Sequence, residues 1–166
     1  MALGSNRGDS VAIVRAAMRR LEGFAAGAVI RSSLWRTSPV DCPPGSANFV
    51  NAAAAFAPAA GLTPEALLAG LKRLEREFGR DAEPEHHAPR ELDLDLLVFG
   101  DERRDAELLT LPHPRAMRRK FVLAPLAEVA PHFVWPGTGR MVTELLDALC
   151  SDERVERIED THRGSI

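Results

Sequence analysis

Two aspartates one residue apart, Asp93 and Asp95 in Glu91-Leu92-Asp93-Leu94-Asp95-Leu96-Leu97, are the part of this sequence best suited to chemistry. In an extended strand, residues two apart face the same side, so both carboxylates project together while Leu92, Leu94 and Leu96 face the core. Set about 6–7 Å apart, two such anions repel each other and invite a divalent cation between or beside them. Carboxylate oxygens are hard ligands, suited to magnesium held jointly with substrate phosphates. The plainer alternative is an acidic, solvated sheet face, which the poor strand propensity of aspartate disfavours. Arg90 precedes the pair by three residues, where a guanidinium could grip a phosphate in bidentate fashion or be one more surface arginine. Phe49 and Asn51 share a strand face by the same period-two rule. A ring beside an amide suits a flat, nitrogen-rich heterocycle, but the two read equally as a core phenylalanine and an edge asparagine. His113, between Pro112 and Pro114, is either a turn residue or a ligand. The sequence has no G-x-x-x-x-G-K-[ST], so a nucleotide would have to bind without a P-loop.

These residues need elements to hold them. Asp9 is a candidate N-cap for a helix in which Val14, Ala17, Met18 and Leu21 recur at helical spacing up to Gly23. Residues 28–37 and 48–56 read as strands, the second despite its run of alanines. Between them, T-S-P-V-D-C-P-P-G-S forbids regular structure and forms a loop. Thr63-Pro64-Glu65 opens a second helix with a capping hydroxyl, a proline at the first position and an early acid. Its apolar stripe is Leu67, Leu68, Leu71, Leu74 and Phe78, ended by Gly79. A second irregular loop over 80–90 leads into the acid-bearing strand. After it come a polar turn at 100–105, a loop and helix over 111–131, a short helix over 141–149, and a polar tail from Ser151 expected to be loosely held. The alternation points to one α+β domain over 1–150, a two-layer sheet with packed helices, followed by the tail 151–166.

At 166 residues, 45% hydrophobic and 27% charged, the chain fits a single globular domain, and its net charge of −3 gives no general reason to expect nucleic acid. No apolar run approaches the roughly 18 residues of a membrane span, and the N-terminus lacks the features of a secretory leader. Cys42 and Cys150 sit in no metal-like spacing, which favours a reduced, cytoplasmic chain. Arginine greatly outnumbers lysine, so single surface arginines carry little weight.

Taken together, several blocks resemble the 6-hydroxymethyl-7,8-dihydropterin pyrophosphokinase family. They are L-G-S-N at 3–6, S-S-L-W-R-T-S-P at 32–39, F-V-N-A-A at 49–53, L-E-R-E-F-G-R at 74–80, P-R-E-L-D-L-D-L-L at 89–97, L-P-H-P at 111–114 and R-K-F-V-L-A-P-L at 119–126. The resemblance reaches about residue 135. It implies a ferredoxin-like, mainly antiparallel α+β sandwich with mobile loops that close over the substrates. It implies two magnesium ions on Asp93 and Asp95, with ATP as co-substrate and Arg80 and Arg90 assisting transfer. Phe49 and Phe121 would sandwich the pterin, and Thr37, Pro39, Val40, Asn51 and Asp93 would contact its edge. Lys72, Glu75, His87, Arg90, Leu96, Thr110, His113 and Arg119 would contact ATP. The implied partners are these small molecules alone, acting on a monomer.

The chain departs from that family in places. Phe49 stands where tyrosine is common, His87 where tryptophan is frequent, and Ala88 where glycine is common. Leu108 and Ala82 replace arginines found in some members. Only Met1 and Ala2 precede L-G-S-N, so either the first strand is short or the start lies upstream. The rival readings are another D-x-D nucleotide-using transferase or hydrolase, which needs no pterin, and a binding module without catalysis, which needs no magnesium.

Overall fold

The computed structural model describes residues 1–79 and 90–159. Strand β1 (Ala2–Ser5) leads to helix α1 (Ser10–Arg20), and the Asp9 carboxylate caps α1 by accepting the Ala12 N–H at 3.0 Å. Val14, Ala17 and Met18 turn inward from it.

The strand expected over 28–37 is two short pieces, β2 (Ile30–Arg31) and β3 (Trp35–Thr37). Ser32 divides them. Its N–H donates to the Ala53 carbonyl at 2.9 Å, while its hydroxyl accepts the Ala53 N–H at 2.8 Å. A side chain thus takes the place of a backbone carbonyl, and the ladder steps out of line.

Strand β4 (Phe49–Ala55) follows, then helix α2 (Pro64–Glu77), capped by the Thr63 hydroxyl on the Ala66 N–H at 3.2 Å. Gly79, with φ of +96°, takes the left-handed conformation just past the end of α2. Strand β5 (Asp93–Asp95) carries the acid pair and is shorter than the hydrophobic run around it. Strands β6 (Arg104–Ala106) and β7 (Leu109–Leu111) form a hairpin apart from the main sheet, where a polar turn and a loop were expected. Helices α3 (Lys120–Val129) and α4 (Val142–Asp147) lie where helices were expected.

The stretch from Ser151, expected as a loose polar tail, is corrected by strand β8 (Val155–Arg157), which pairs antiparallel with β3. It is a three-residue edge strand with two charged residues after Val155, so its composition conceals it and its pairing holds it.

The sheet runs β5-β1-β4-β3-β8, with β2 also on β4, and these neighbours pair antiparallel. One face packs Leu3, Val50, Ala52, Ala54 and Leu94 against Val14 and Met18 of α1 and Leu67, Leu71 and Leu74 of α2. Ala53 belongs to a second core with Val122, Leu123 and Leu126 of α3, Trp135, and Val142 of α4. Helices therefore cover both faces at β4, which corrects the two-layer expectation. It also accounts for the alanine run: a strand pressed between two helical layers is buried on both sides, and small side chains let both layers approach.

Candidate active site

The registers place the chemistry on one sheet face. Gly4 of β1 lies opposite Asn51 of β4 and Asp93 of β5, and Ala2 lies opposite Ala53 and Asp95. Thr37 lies opposite Phe49, and Trp35 opposite Asn51. Directly paired residues point to the same face, so the acid pair, the Ala2–Gly4 floor, and the Phe49, Asn51 and Thr37 side chains share a side. Helices α3 and α4 cover the Ala53 part of this face, and the rest opens into a cleft of about 320 Å³.

Of the residues expected at a site, Thr37, Val40, Phe49, Asn51, Lys72, Arg90, Asp93, Asp95, Arg119 and Phe121 line this cleft. Ala2, Gly4, Ser38, Asp41, Cys42 and Arg115 also line it, though sequence reasoning did not single them out. For Ala2 and Gly4 the signal was available, since the period-two rule applied to Ala2-Leu3-Gly4 puts them on one face.

Asn51 is 6% exposed and Thr37 2%, and the Asn51 Nδ2 donates to Thr37 Oγ1 at 2.7 Å. This fixes the amide across the strand. A Cβ at Gly4 would stand 2.7 Å from Asn51 Oδ1. Gly4→Ala should therefore displace the Asn51 amide, break its bond to Thr37 and lower stability by about 1–3 kcal/mol. Chemical denaturation checks this, and an unchanged midpoint would show that the amide moves aside freely.

At the acid end, Arg90 Nη1 lies 2.8 Å from Asp93 Oδ2, with the two side chains 27% and 26% exposed. Such partly solvated pairs fix geometry more than they add stability. Asn6 holds the Arg90 backbone at two points: its Oδ1 accepts the Arg90 N–H at 2.8 Å, and its own N–H donates to the Arg90 carbonyl at 3.1 Å. Asn6 stands in the L-G-S-N block, but nothing local in the sequence reveals its partner.

His113 follows the cis Leu111–Pro112 bond, donates its N–H to the Leu97 carbonyl at 2.8 Å and accepts the Arg115 N–H at Nδ1 at 3.3 Å. Burial lowers its pKa below the ordinary histidine value. The Asp95 charge opposes that shift, and Arg119 and Arg115 reinforce it. His113 thus sits within electrostatic reach of both the acids and the cations.

Among the described residues, no group of three His, Cys, Asp or Glu side chains is placed to hold a metal. Two carboxylates at an open cleft still suit magnesium, which usually keeps several waters and takes one or two carboxylates together with substrate phosphates.

At the other end, Phe49 and Phe121 are half-buried on the cleft wall, and the Arg119 guanidinium lies over the Phe121 ring, 5.4 Å from its centroid. The Phe121 N–H donates to Glu153 Oε2 at 3.0 Å.

Other expected residues lie elsewhere. Glu75 is 1% exposed and turned into the protein, where Oε1 accepts the Leu94 N–H at 2.7 Å and the Lys72 ammonium at 3.1 Å. Leu96 is in the core, Thr110 is exposed on the β6–β7 hairpin, and Pro39 lies between the lining residues Ser38 and Val40. Arg80 and His87 fall outside the described residues.

An acid pair at one end, cations along the rim and two rings at the other end suit an enzyme that transfers phosphoryl groups to a flat acceptor. Comparison with known proteins narrows the class. A sequence model of the 7,8-dihydro-6-hydroxymethylpterin-pyrophosphokinase family matches residues 1–131, and the chain belongs to that family. It is 37% identical over 159 residues to the 2-amino-4-hydroxy-6-hydroxymethyldihydropteridine pyrophosphokinase of Pseudomonas aeruginosa, covering 95% of this chain and 94% of that one. The enzymes of the same name from Bacillus subtilis and Synechocystis sp. are 42% identical over 130 residues and 37% identical over 145. Those matches cover 78% and 87% of this chain, and 75% and 72% of the relatives.

Proposed function

We propose that this protein transfers the β,γ-diphosphate of ATP to the hydroxymethyl oxygen of 6-hydroxymethyl-7,8-dihydropterin, releasing AMP, as a step of folate synthesis. Family membership supports the reaction. The observation that carries it to this chain is that Asp93 and Asp95 share one sheet face and one cleft with Phe49, Asn51 and Phe121.

In this reading the pterin lies on the Ala2–Gly4 floor, stacked by Phe49 and Phe121, with the Asn51 amide, Thr37, Val40 and Asp93 at its edge. The residue types fit a flat heterocycle, with two rings for its faces and donors and acceptors for its rim. ATP places its phosphates between the acid pair and the cations Lys72, Arg90, Arg115 and Arg119, with His113 beside them. The Arg90–Asp93 pair pre-positions a guanidinium that can turn to a phosphate. Two magnesium ions on Asp93 and Asp95 would neutralise phosphate charge. A new bond forms from the hydroxymethyl oxygen to the β-phosphorus as the bond to the α,β-bridging oxygen breaks, and catalysis rests on positioning and charge.

The order β1-α1-β3-β4-α2-β5, with strands arranged β5-β1-β4-β3, supports a ferredoxin-like core to which α3, α4 and β8 are added. We read the protein as a cytoplasmic monomer acting on small molecules. Its net charge of −3 gives no footing for nucleic acid, and no helix among the described residues is long and apolar enough to cross a membrane.

The deciding assay incubates the protein with ATP, magnesium and 6-hydroxymethyl-7,8-dihydropterin and follows AMP and the pterin diphosphate. ATP breakdown that ignores the pterin would instead favour a D-x-D hydrolase. Phe121→Ala should weaken pterin binding by about 1–3 kcal/mol, the range of aromatic stacking platforms. Fluorescence titration measures this, and an unaltered affinity would place the ring elsewhere.

A further inference from the structure

We propose that the segment 151–157 braces the aromatic wall of the pterin site from outside the cleft, with Glu153 acting as the positioning residue that fixes the Phe121 ring. The segment lies beyond residues 1–131, where the family match ends. The inference rests on the reading of Phe121 as a pterin platform.

Phe121 is the second residue of α3, and its N–H is one of the donors that a helix start leaves without an intrahelical partner. The N-cap residue is Arg119, whose side chain makes no capping bond. The acceptor comes instead from 32 positions along the chain, where Glu153 Oε2 takes the Phe121 N–H at 3.0 Å. A carboxylate there also complements the positive end of the helix dipole.

Glu153 is held in its turn, since its N–H donates to Ser151 Oγ at 3.2 Å. The next residue reaches the opposite wall. The Ser38 N–H donates to the Arg154 carbonyl at 3.0 Å, and the Arg154 N–H donates to Ser38 Oγ at 3.1 Å. Val155 then pairs with Thr37 in β8. One short segment thus ties the helix start that carries Phe121 to the strand end that carries Thr37 and Ser38. Loss of the Glu153 bond frees the first turn of α3 and lets the ring leave its place, while the acid pair on β5 has no link to this segment in the sheet order.

The test uses the full chain with magnesium and a non-hydrolysable ATP analogue, titrating the dihydropterin and the analogue separately and recording thermal melting. Glu153→Ala should weaken pterin binding by about fivefold to tenfold, the effect of one ordinary, partly buried hydrogen bond. The affinity for the ATP analogue should fall by less than that for the pterin, because Arg119 at the start of α3 is one of four cations assigned to the phosphates and Lys72 and Arg90 lie on other elements. Glu153→Gln should restore most of the loss, because its amide oxygen still accepts. Glu153→Met, similar in volume but unable to accept this bond, gives the same readout should the alanine variant fold poorly. Unchanged pterin affinity in a folded Ala or Met variant overturns the proposal. So does an equal loss for both ligands that glutamine does not restore, which would mark a purely structural role. Phe121→Ala separates the two levels: a loss there with none at Glu153 sinks this inference alone, and no loss at Phe121 sinks the platform reading with it.

Discussion

Alanine at Asp95 should lower AMP production by about a thousandfold or more while leaving the protein folded, because in the proposed reading it removes a magnesium ligand and no packing. The side chain is half-buried at the cleft and outside both hydrophobic cores. The Arg90–Asp93 pair remains in the variant. The decisive measurement is turnover at saturating ATP and pterin across a magnesium titration. A rate within about tenfold of the parent would remove Asp95 from the chemistry, since that gap is only about 1.4 kcal/mol of barrier.

Glu75→Ala should instead damage the fold, by on the order of 3 kcal/mol. Strand β5 is at the edge of the sheet, and Glu75 of α2 supplies an acceptor to its Leu94 N–H from outside the ladder. With Glu75 1% exposed, alanine leaves that donor buried without this partner and opens a space beneath it. The Lys72 contact adds little, because that ammonium side chain is 42% exposed. Chemical denaturation should show a lower midpoint, with Glu75→Gln losing less because its amide oxygen can still accept. A variant as stable as the parent would mean that β5 holds its place unaided. Because Asp93 and Asp95 flank Leu94, Glu75 reaches the acid end of the cleft through the backbone of β5.

Local signals in the sequence marked α1, α2, β4 and the shared face of Asp93 and Asp95. Asp9 and Thr63 cap as their types predict, Gly79 takes the conformation that glycine allows, and Leu94 is fully buried between two half-exposed aspartates. These features depend on neighbours within a few residues. Features set by distant partners were not legible. Ser32 breaks a strand only because Ala53 lies across from it. Strands β6 and β8 have three residues each, two of them charged, so no hydrophobic period announces them. Whether a glutamate faces a nucleotide or a strand edge depends on packing, and Glu75 and Asn6 owe their roles to contacts made across the fold. The motif blocks marked the family and most of the expected residues that line the cleft. The supports from outside those blocks, Glu153 above all, became visible only in three dimensions.

The alanine run of β4 has one more consequence. Ala52 and Ala54 set the clearance to α1 and α2, and Ala53 sets it to α3, each with a single methyl group and no exposure. Interiors packed at this density do not absorb an added methylene without movement. Helix α3 rides on Ala53 and begins beside Arg119 and Phe121, so the bulk of one residue in mid-strand gauges the slot beyond it. Descendants of this chain could widen or narrow their grip on a flat molecule by a change that never meets it.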